Sequence, residues 1–322
     1  DEIRVAKSPE PTALTGTTGW TENSTAVVGV GTLFTSELAI GDFIKAPDGY
    51  WYEVITITDN TNVILYKKYP STTSSGYSSQ KLGVTDTGAA SGNTVAIQTI
   101  GSGGNSTNRL LITGGWDLST ENQTGFTWFR QMHGTFTNRY GIGIYINQLG
   151  GYITIEKIGL LRYYHGLYFY GGVDNHNVNN VYCASCSGSG VSHYSGSSNN
   201  NFENIVSISN GDNGIYLEAS SNCNINNCIL NANTNGILFY YNCTNNEITN
   251  VIANYNKYGI HLQTGSTANI IESAICSFNT THGIFYEDGS SQNTIISATT
   301  NSNGVNGVDY YNQSNNNIII SL

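Results

Sequence analysis

Charge is scarce in this chain. Asp, Glu, Lys and Arg supply 11% of its 322 residues, and the balance is acidic: 22 carboxylates against 12 bases, a net charge of −10. Beyond residue 88 the bases are Arg109, Arg130, Arg139, Lys157, Arg162 and Lys257, and after Arg162 a single lysine faces nine acids. Nucleic acid and anionic lipid surfaces are held by clustered Lys and Arg, so both are excluded as partners. Proline is nearly missing. Pro9, Pro11, Pro47 and Pro70 are the only four, with none after residue 70, as a continuous ladder of backbone donors requires. No apolar run is long enough to span a bilayer, so no membrane insertion is expected. No signal peptide is visible, and the start at Asp1 rather than Met leaves open a removed leader or a trimmed start.

What the chain has is a repeat. A glycine followed by a branched apolar residue returns at Gly166-Leu167, Gly190-Val191, Gly214-Ile215, Gly236-Ile237, Gly259-Ile260, Gly283-Ile284 and Gly307-Val308, at spacings of 24, 24, 22, 23, 24 and 24. A fixed period of this length, without helical periodicity, is one supersecondary unit stacked on itself. After each glycine the residues alternate, as in Gly214-Ile215-Tyr216-Leu217-Glu218, which is a strand with one buried face. A second short strand centres on Val178, Phe202, Ile225, Ile248, Ile271 and Ile295, and a third on Val181, Ile205, Ile229, Val251, Ala274 and Ala298. Three short strands in each 22 to 24 residues make one coil of a parallel β-helix. Eight or more coils at the spacing of paired strands give a rod roughly 40 Å long. Asn, Ser and Gly fill the turns, for example Asn199-Asn200-Asn201 and Asn315-Asn316-Asn317. These residues tolerate left-handed backbone and bond their own main chain.

The pattern resembles the right-handed parallel β-helix family, in its short-repeat form found in surface proteins and phage tailspikes. The resemblance covers about residues 90–322 and implies fold rather than activity, since that architecture hosts lyases, hydrolases, adhesins and passive rods. The expected fold class is all-β, with a right-handed parallel β-helix over 86–322. Residues 86–100, including Gly88-Ala89-Ala90-Ser91-Gly92, read as the linker into its first coil.

Residues 15–85 read as a small β domain. Its strand candidates are Ala26–Val30, Phe43–Ala46, Trp51–Ile57 and Asn62–Tyr66, separated by the turn signals Gly41-Asp42, Pro47-Asp48-Gly49 and Asp59-Asn60. This stretch resembles small β-barrel modules of phage and virus tail or fibre proteins, which implies attachment or assembly. Residues 1–14, with three acids and two prolines, read as an extended arm. Terminal disorder, or a strand added to a neighbouring subunit, are its alternatives.

The six cysteines, Cys183, Cys186, Cys223, Cys228, Cys243 and Cys276, read as small core residues. A bridge from Cys243 to Cys223 or Cys228 stays open. The six histidines form no metal-spaced cluster, and no cofactor motif is present. His165 and His282 precede the repeat glycine and are read as turn residues.

Sugar-cleaving chemistry needs two carboxylates roughly 5 to 9 Å apart. Four residues after each glycine the column reads Tyr170, Tyr194, Glu218, Tyr240, Gln263, Glu287 and Tyr311. Glu218 and Glu287 are three coils apart, too far to cooperate. Glu287 with Asp288, one coil from His261, is the remaining candidate for catalysis. The outward columns instead carry Tyr168, Tyr170, Tyr194, Tyr216, Tyr240, Phe285 and Tyr311 along one face of the rod. Such a face is a stacking ladder, a subunit interface or a sugar-binding surface.

The leading expectation is a non-enzymatic extracellular structural protein, a self-assembling subunit of a surface filament or a virion tail or fibre. The end at Asn317–Leu322 has no evident polar cap and invites stacking on another copy. The alternatives are an oligomeric, tailspike-like protein that binds or degrades polysaccharide, by lyase or hydrolase chemistry, and a cell-surface adhesin. Low charge, abundant Asn, Ser, Thr and Gly, and 22 tyrosines place the chain outside the cell, on a cell surface or on a virion.

Overall fold

The computed structural model describes residues 2–87, 95–100, 109–117, 119–131, 141–147, 151–172 and 174–321, with the side chains of 86, 87, 95–100 and 147 left out of the description. Three sheets account for its strands. Two are long and parallel, with 14 and nine strands, and they face each other across one core. The third has eight antiparallel strands drawn from residues 12–81.

The repeat builds the nine-stranded sheet. Its rungs run from Val95–Ile100 and Ile142–Asn147 through His165–Tyr170, Val191–Tyr194, Asn213–Glu218, Asn235–Tyr240, Tyr258–Gln263 and His282–Tyr286 to Asn306–Tyr310. The register follows the sequence period: Leu167, Val191, Ile215, Ile237, Ile260, Ile284 and Val308 form one inward column. Opposite them, Val178, Phe202, Ile225, Ile248, Ile271 and Ile295 form the core column of the long sheet, all fully buried. Each such side chain taken from water contributes about 1.5–3 kcal/mol.

The repeat glycine is set by space. A Cβ on Gly236 would lie 2.5 Å from the Gly259 carbonyl of the next coil and 2.7 Å from the Ala253 Cβ across the core. Gly236→Ala is therefore expected to cost about 1–3 kcal/mol by overpacking, read as a lowered urea midpoint. An unchanged midpoint would show that the walls can part.

Corners are set by handedness. In each coil, residues such as Asn180, Asn204, Asn227 and Asn250, with φ of 51 to 55°, turn the chain in the left-handed region, which Asn adopts at low cost. Inside the corners run two buried asparagine ladders. Asn246, Asn269, Asn293 and Asn317 form one, each Oδ1 accepting the backbone N–H of the residue one coil earlier at 2.8–2.9 Å. Asn210, Asn233, Asn256, Asn279 and Asn303 form the other. These amides satisfy corner donors that would otherwise be buried unpaired.

Several expectations need correction. The arm expected over residues 1–14 is tied down near its start: Glu2–Ala6, largely exposed, pairs in parallel with Leu110–Asp117 of its own chain. Within the expected linker, Val95–Ile100 is a strand paired with Ile142–Asn147, while 88–94 lies outside the described residues. The third strand of each coil shrinks mostly to single bridges, Ile229 to Ile252 and Ile252 to Ile275 among them. Its core position in one coil is Cys228 rather than Ile229, because Val206 pairs with Ile229 and so sets Ile205 opposite Cys228. By the same shift Leu230 stands opposite Ser207, which pairs with Cys183. His165 and His282 open strands rather than sit in turns. All six cysteines are buried thiols. Cys186, Cys223 and Cys243 stand where asparagine or serine stands in neighbouring coils, and Cys223 and Cys243 take the same Oδ1 or Oγ bond at the backbone.

The antiparallel sheet packs its own core around Trp20, Phe34, Ile44, Tyr52, Val54 and Tyr69. It docks on the long parallel sheet through Phe43, Trp51 and Leu82 against Leu161, Tyr182 and Ile208. Two buried ion pairs cross this junction, Arg130 Nη1 to Asp42 Oδ1 at 2.7 Å and Arg162 Nε to Glu53 Oε1 at 3.0 Å.

Candidate functional site

Alternation on the nine-stranded sheet sends every second side chain outward. One outward column reads Tyr145, Tyr168, Ser192, Tyr216, Leu238, His261, Phe285 and Asp309. Beside it run Tyr170 and Tyr194, then Glu218, Tyr240 and Gln263.

The rings of the second to sixth rungs touch in sequence. Centroid distances are 5.5 Å for Tyr145 to Tyr168, 5.1 Å for Tyr168 to Tyr194, 4.7 Å for Tyr194 to Tyr216 and 6.3 Å for Tyr216 to Tyr240. Tyr170 stacks on Tyr168 at 6.2 Å with planes 10° apart. Tyr170 and Tyr240 are 46% and 37% exposed, Tyr168 and Tyr194 are half-buried, and Tyr216 is buried. The outcome is a ribbon of touching rings, open to solvent most at Tyr170 and Tyr240. Tyr216 donates its hydroxyl proton to Glu218 Oε2 at 3.0 Å. Burial pushes Tyr194 up to about 12, and burial with the Glu218 bond raises Tyr216 further. Both hydroxyls are therefore donors at any physiological pH.

A second cluster lies on the next two rungs. Tyr258 stacks on His282 at 5.8 Å and on Phe285 at 5.3 Å. His261 Nε2 sits 2.9 Å from Glu287 Oε2, with its Nδ1 3.3 Å from Asn235 Oδ1. His282 Nε2 is 3.4 Å from Asp309 Oδ2. Burial, with Lys257 and His282 nearby, pushes His261 down to about 4, and burial with Asp288 raises Glu287.

The face expected from sequence thus divides. Tyr168, Tyr170, Tyr194, Tyr216 and Tyr240 are continuous. Phe285 belongs to the second cluster and is buried, and Tyr311, 60% exposed, stands apart on the last rung. Glu218 and Glu287 remain three rungs apart, roughly 14 Å at the strand spacing, too far for paired carboxylate chemistry. Asp288 is a corner residue with φ of 51°, its Oδ1 accepting from Asn312 Nδ2 at 2.6 Å. Among the described residues no group of three His, Cys, Asp or Glu can hold a metal, and His133 lies outside them. No helix among the described residues is long and apolar enough to cross a membrane. Tyr145 was missed by the sequence reading. Gly143-Ile144, one period before Gly166, is the signal that places it.

Comparison with known proteins fits this architecture. Among solved structures, a pectate lyase superposes with a TM-score of 0.51 at 13% identity, covering 70% of this chain and 68% of its own. A double mutant of the periplasmic alginate epimerase AlgG superposes with a TM-score of 0.52 at 15% identity, covering 71% of this chain. The chain spans 62% of the length of that epimerase. A search of curated proteins returns no match. Residues 132–275 match the family described as right handed beta helix region, and the fold of this chain is a right-handed parallel β-helix.

Proposed function

We propose that this protein binds polysaccharide along the tyrosine ribbon of its β-helix, outside the cell or in a periplasm. The observation that carries the reading is the unbroken run of ring faces from Tyr145 to Tyr240. The apolar C–H face of a sugar packs on an aromatic ring, and its hydroxyl edge takes hydrogen bonds from groups beside the ring. The exposed Tyr170 and Tyr240 hydroxyls can donate such bonds, and the half-buried Glu218 carboxylate can accept one from a sugar hydroxyl. A chain lying along the rod meets a new ring at each coil, so weak contacts add along one ligand. The pectate lyase and the alginate epimerase share the architecture, and at their identity the likeness supports the scaffold only. Nothing on the ribbon pairs two carboxylates, so the reading is binding without cleavage.

The structural rod expected from the repeat is the second reading, since the same ribbon suits an interface between subunits. Tyr170 and Tyr240 are exposed, so replacing them leaves the fold intact. Tyr170→Ala with Tyr240→Ala is expected to weaken binding to the best ligand of a panel of acidic and neutral polysaccharides about tenfold, roughly 1.4 kcal/mol, by calorimetry. Binding to no member of the panel, or unchanged affinity in the double variant, would overturn the proposal. A loss of oligomers by light scattering in that variant, without any effect on glycan, would favour the rod.

A further inference from the structure

A groove runs along the junction between the antiparallel sheet and the β-helix, away from the tyrosine ribbon. One part, of about 280 Å³, is lined by Tyr50, Trp51, Phe126, Trp128, Tyr182 and Asn180 among others. A second part, of about 350 Å³, continues past Trp51, Phe126 and Trp128 to Ser8–Pro11. The aromatic walls are braced against one another. Phe126 and Trp128 lie 4.8 Å apart, and Trp128 meets Tyr182 edge-on at 5.1 Å and Trp51 edge-on at 6.4 Å. Tyr182 is locked in turn, its hydroxyl accepting the Trp51 backbone N–H at 3.0 Å. The plates are thus rigid before any ligand arrives, which removes an ordering cost from binding.

Polar groups stand at the rim. Asn180 is exposed, and neither its amide nor the Tyr50 hydroxyl nor the indole N–H groups of Trp51 and Trp128 have a hydrogen-bond partner among the described residues. Glu10 lines the second part and the Lys45 ammonium stands 5.7 Å over the Trp51 ring, so neither sign of charge prevails and a neutral ligand is favoured. An interdomain cleft with flat apolar walls and a few convergent polar groups fits a small neutral ligand with an apolar face and a hydroxyl edge.

We propose that this groove is a binding subsite for a neutral saccharide, independent of the tyrosine ribbon. Intrinsic fluorescence reads it directly. The four tryptophans are Trp20, Trp51, Trp116 and Trp128, none of them on the ribbon, and two of them form the groove.

The test titrates the full chain with neutral oligosaccharides of glucose, galactose, mannose and N-acetylglucosamine. A saturable fluorescence change is expected with at least one of them. Trp128→Ala should weaken it tenfold or more. Because Trp128 packs on Gly159, that variant may only be read beside Asn180→Gly, which keeps the left-handed corner (φ 51°) and removes only the rim amide. Asn180→Gly should weaken binding three- to tenfold. The Tyr170→Ala, Tyr240→Ala double variant should leave this titration unchanged, which separates the groove from the ribbon. No saturable change with any of the four sugars, wild-type affinity in Asn180→Gly, or a titration lost in the tyrosine variant would each overturn the proposal.

Discussion

Between pH 6.5 and 4 the β-helix is expected to lose stability, on the order of 3 kcal/mol for each of two buried histidines, His165 and His176. Burial pushes His165 down to about 4. Burial, with Arg109 nearby, pushes His176 down to about 3. The geometry gives the reason. His176 Nδ1 accepts the Ile153 backbone N–H at 3.2 Å, and its ring stacks on Phe169 at 5.0 Å. His165 Nδ1 accepts the Ser189 N–H at 3.2 Å, with its ring against Tyr168. In each, a second proton would have to enter at a nitrogen that already faces a donor. Both folded pKa values lie below the ordinary 6.5, so between them the unfolded chain binds more protons and stability rises with pH. The contribution is complete above about pH 6.5 and is lost as pH falls toward 4 for His165 and 3 for His176. Each pKa unit corresponds to about 1.4 kcal/mol. His261 is left out of this sum, because Glu287 stands ready to accept a proton from its Nε2. Urea midpoints measured from pH 8 to 4.5 check the expectation. His176→Phe should reduce the slope by about one proton, roughly 1.4 kcal/mol per pH unit. A stability flat across that range would show that the imidazoles charge without opening the core.

What could be read from the sequence divides along physical lines. The period of 22 to 24 placed the inward columns correctly, because a slip of one residue would turn a whole strand inside out. Leu167 to Val308 and Val178 to Ile295 fall where their spacing put them. The third strand was misplaced by one at Ile229. That side of the coil is held by single bridges, so no alternation exists there to fix register, and a buried cysteine at 228 carries no visible apolar signal. Glu2–Ala6 was illegible for another reason. Its strand pairs with residues more than a hundred positions away, and nothing local in DEIRVA names that partner. On the ribbon, the tyrosines were legible as outward residues, but their division into a continuous run and a separate histidine cluster was not. Whether neighbouring rings touch depends on rotamers that lean along the strand. The junction groove was wholly illegible, since Trp51, Trp128 and Tyr182 meet only after two folding units dock.

That docking makes Arg162→Ala the other large expected effect, a loss of about 3–5 kcal/mol. The Arg162 side chain is 7% exposed, and its Nε lies 3.0 Å from Glu53 Oε1, whose side chain is fully buried. Gly41 closes over the guanidinium so tightly that a Cβ there would lie 2.5 Å from Nη1. The arginine side chain leaves the first long sheet and the glutamate belongs to Trp51–Asp59 of the antiparallel sheet, so the pair crosses the junction. Truncating the arginine removes a countercharge from a fully buried carboxylate, which costs far more than the loss of an exposed pair. Replacing both partners, Arg162→Leu with Glu53→Leu, should recover most of the loss, because two apolar groups need no countercharge. Urea midpoints of the unaltered chain and of the two variants, with limited proteolysis at the junction, decide the matter. A single-variant loss below about 1 kcal/mol, the range of exposed pairs, would mean that water reaches Glu53 and that the aromatic contacts alone hold the two units together.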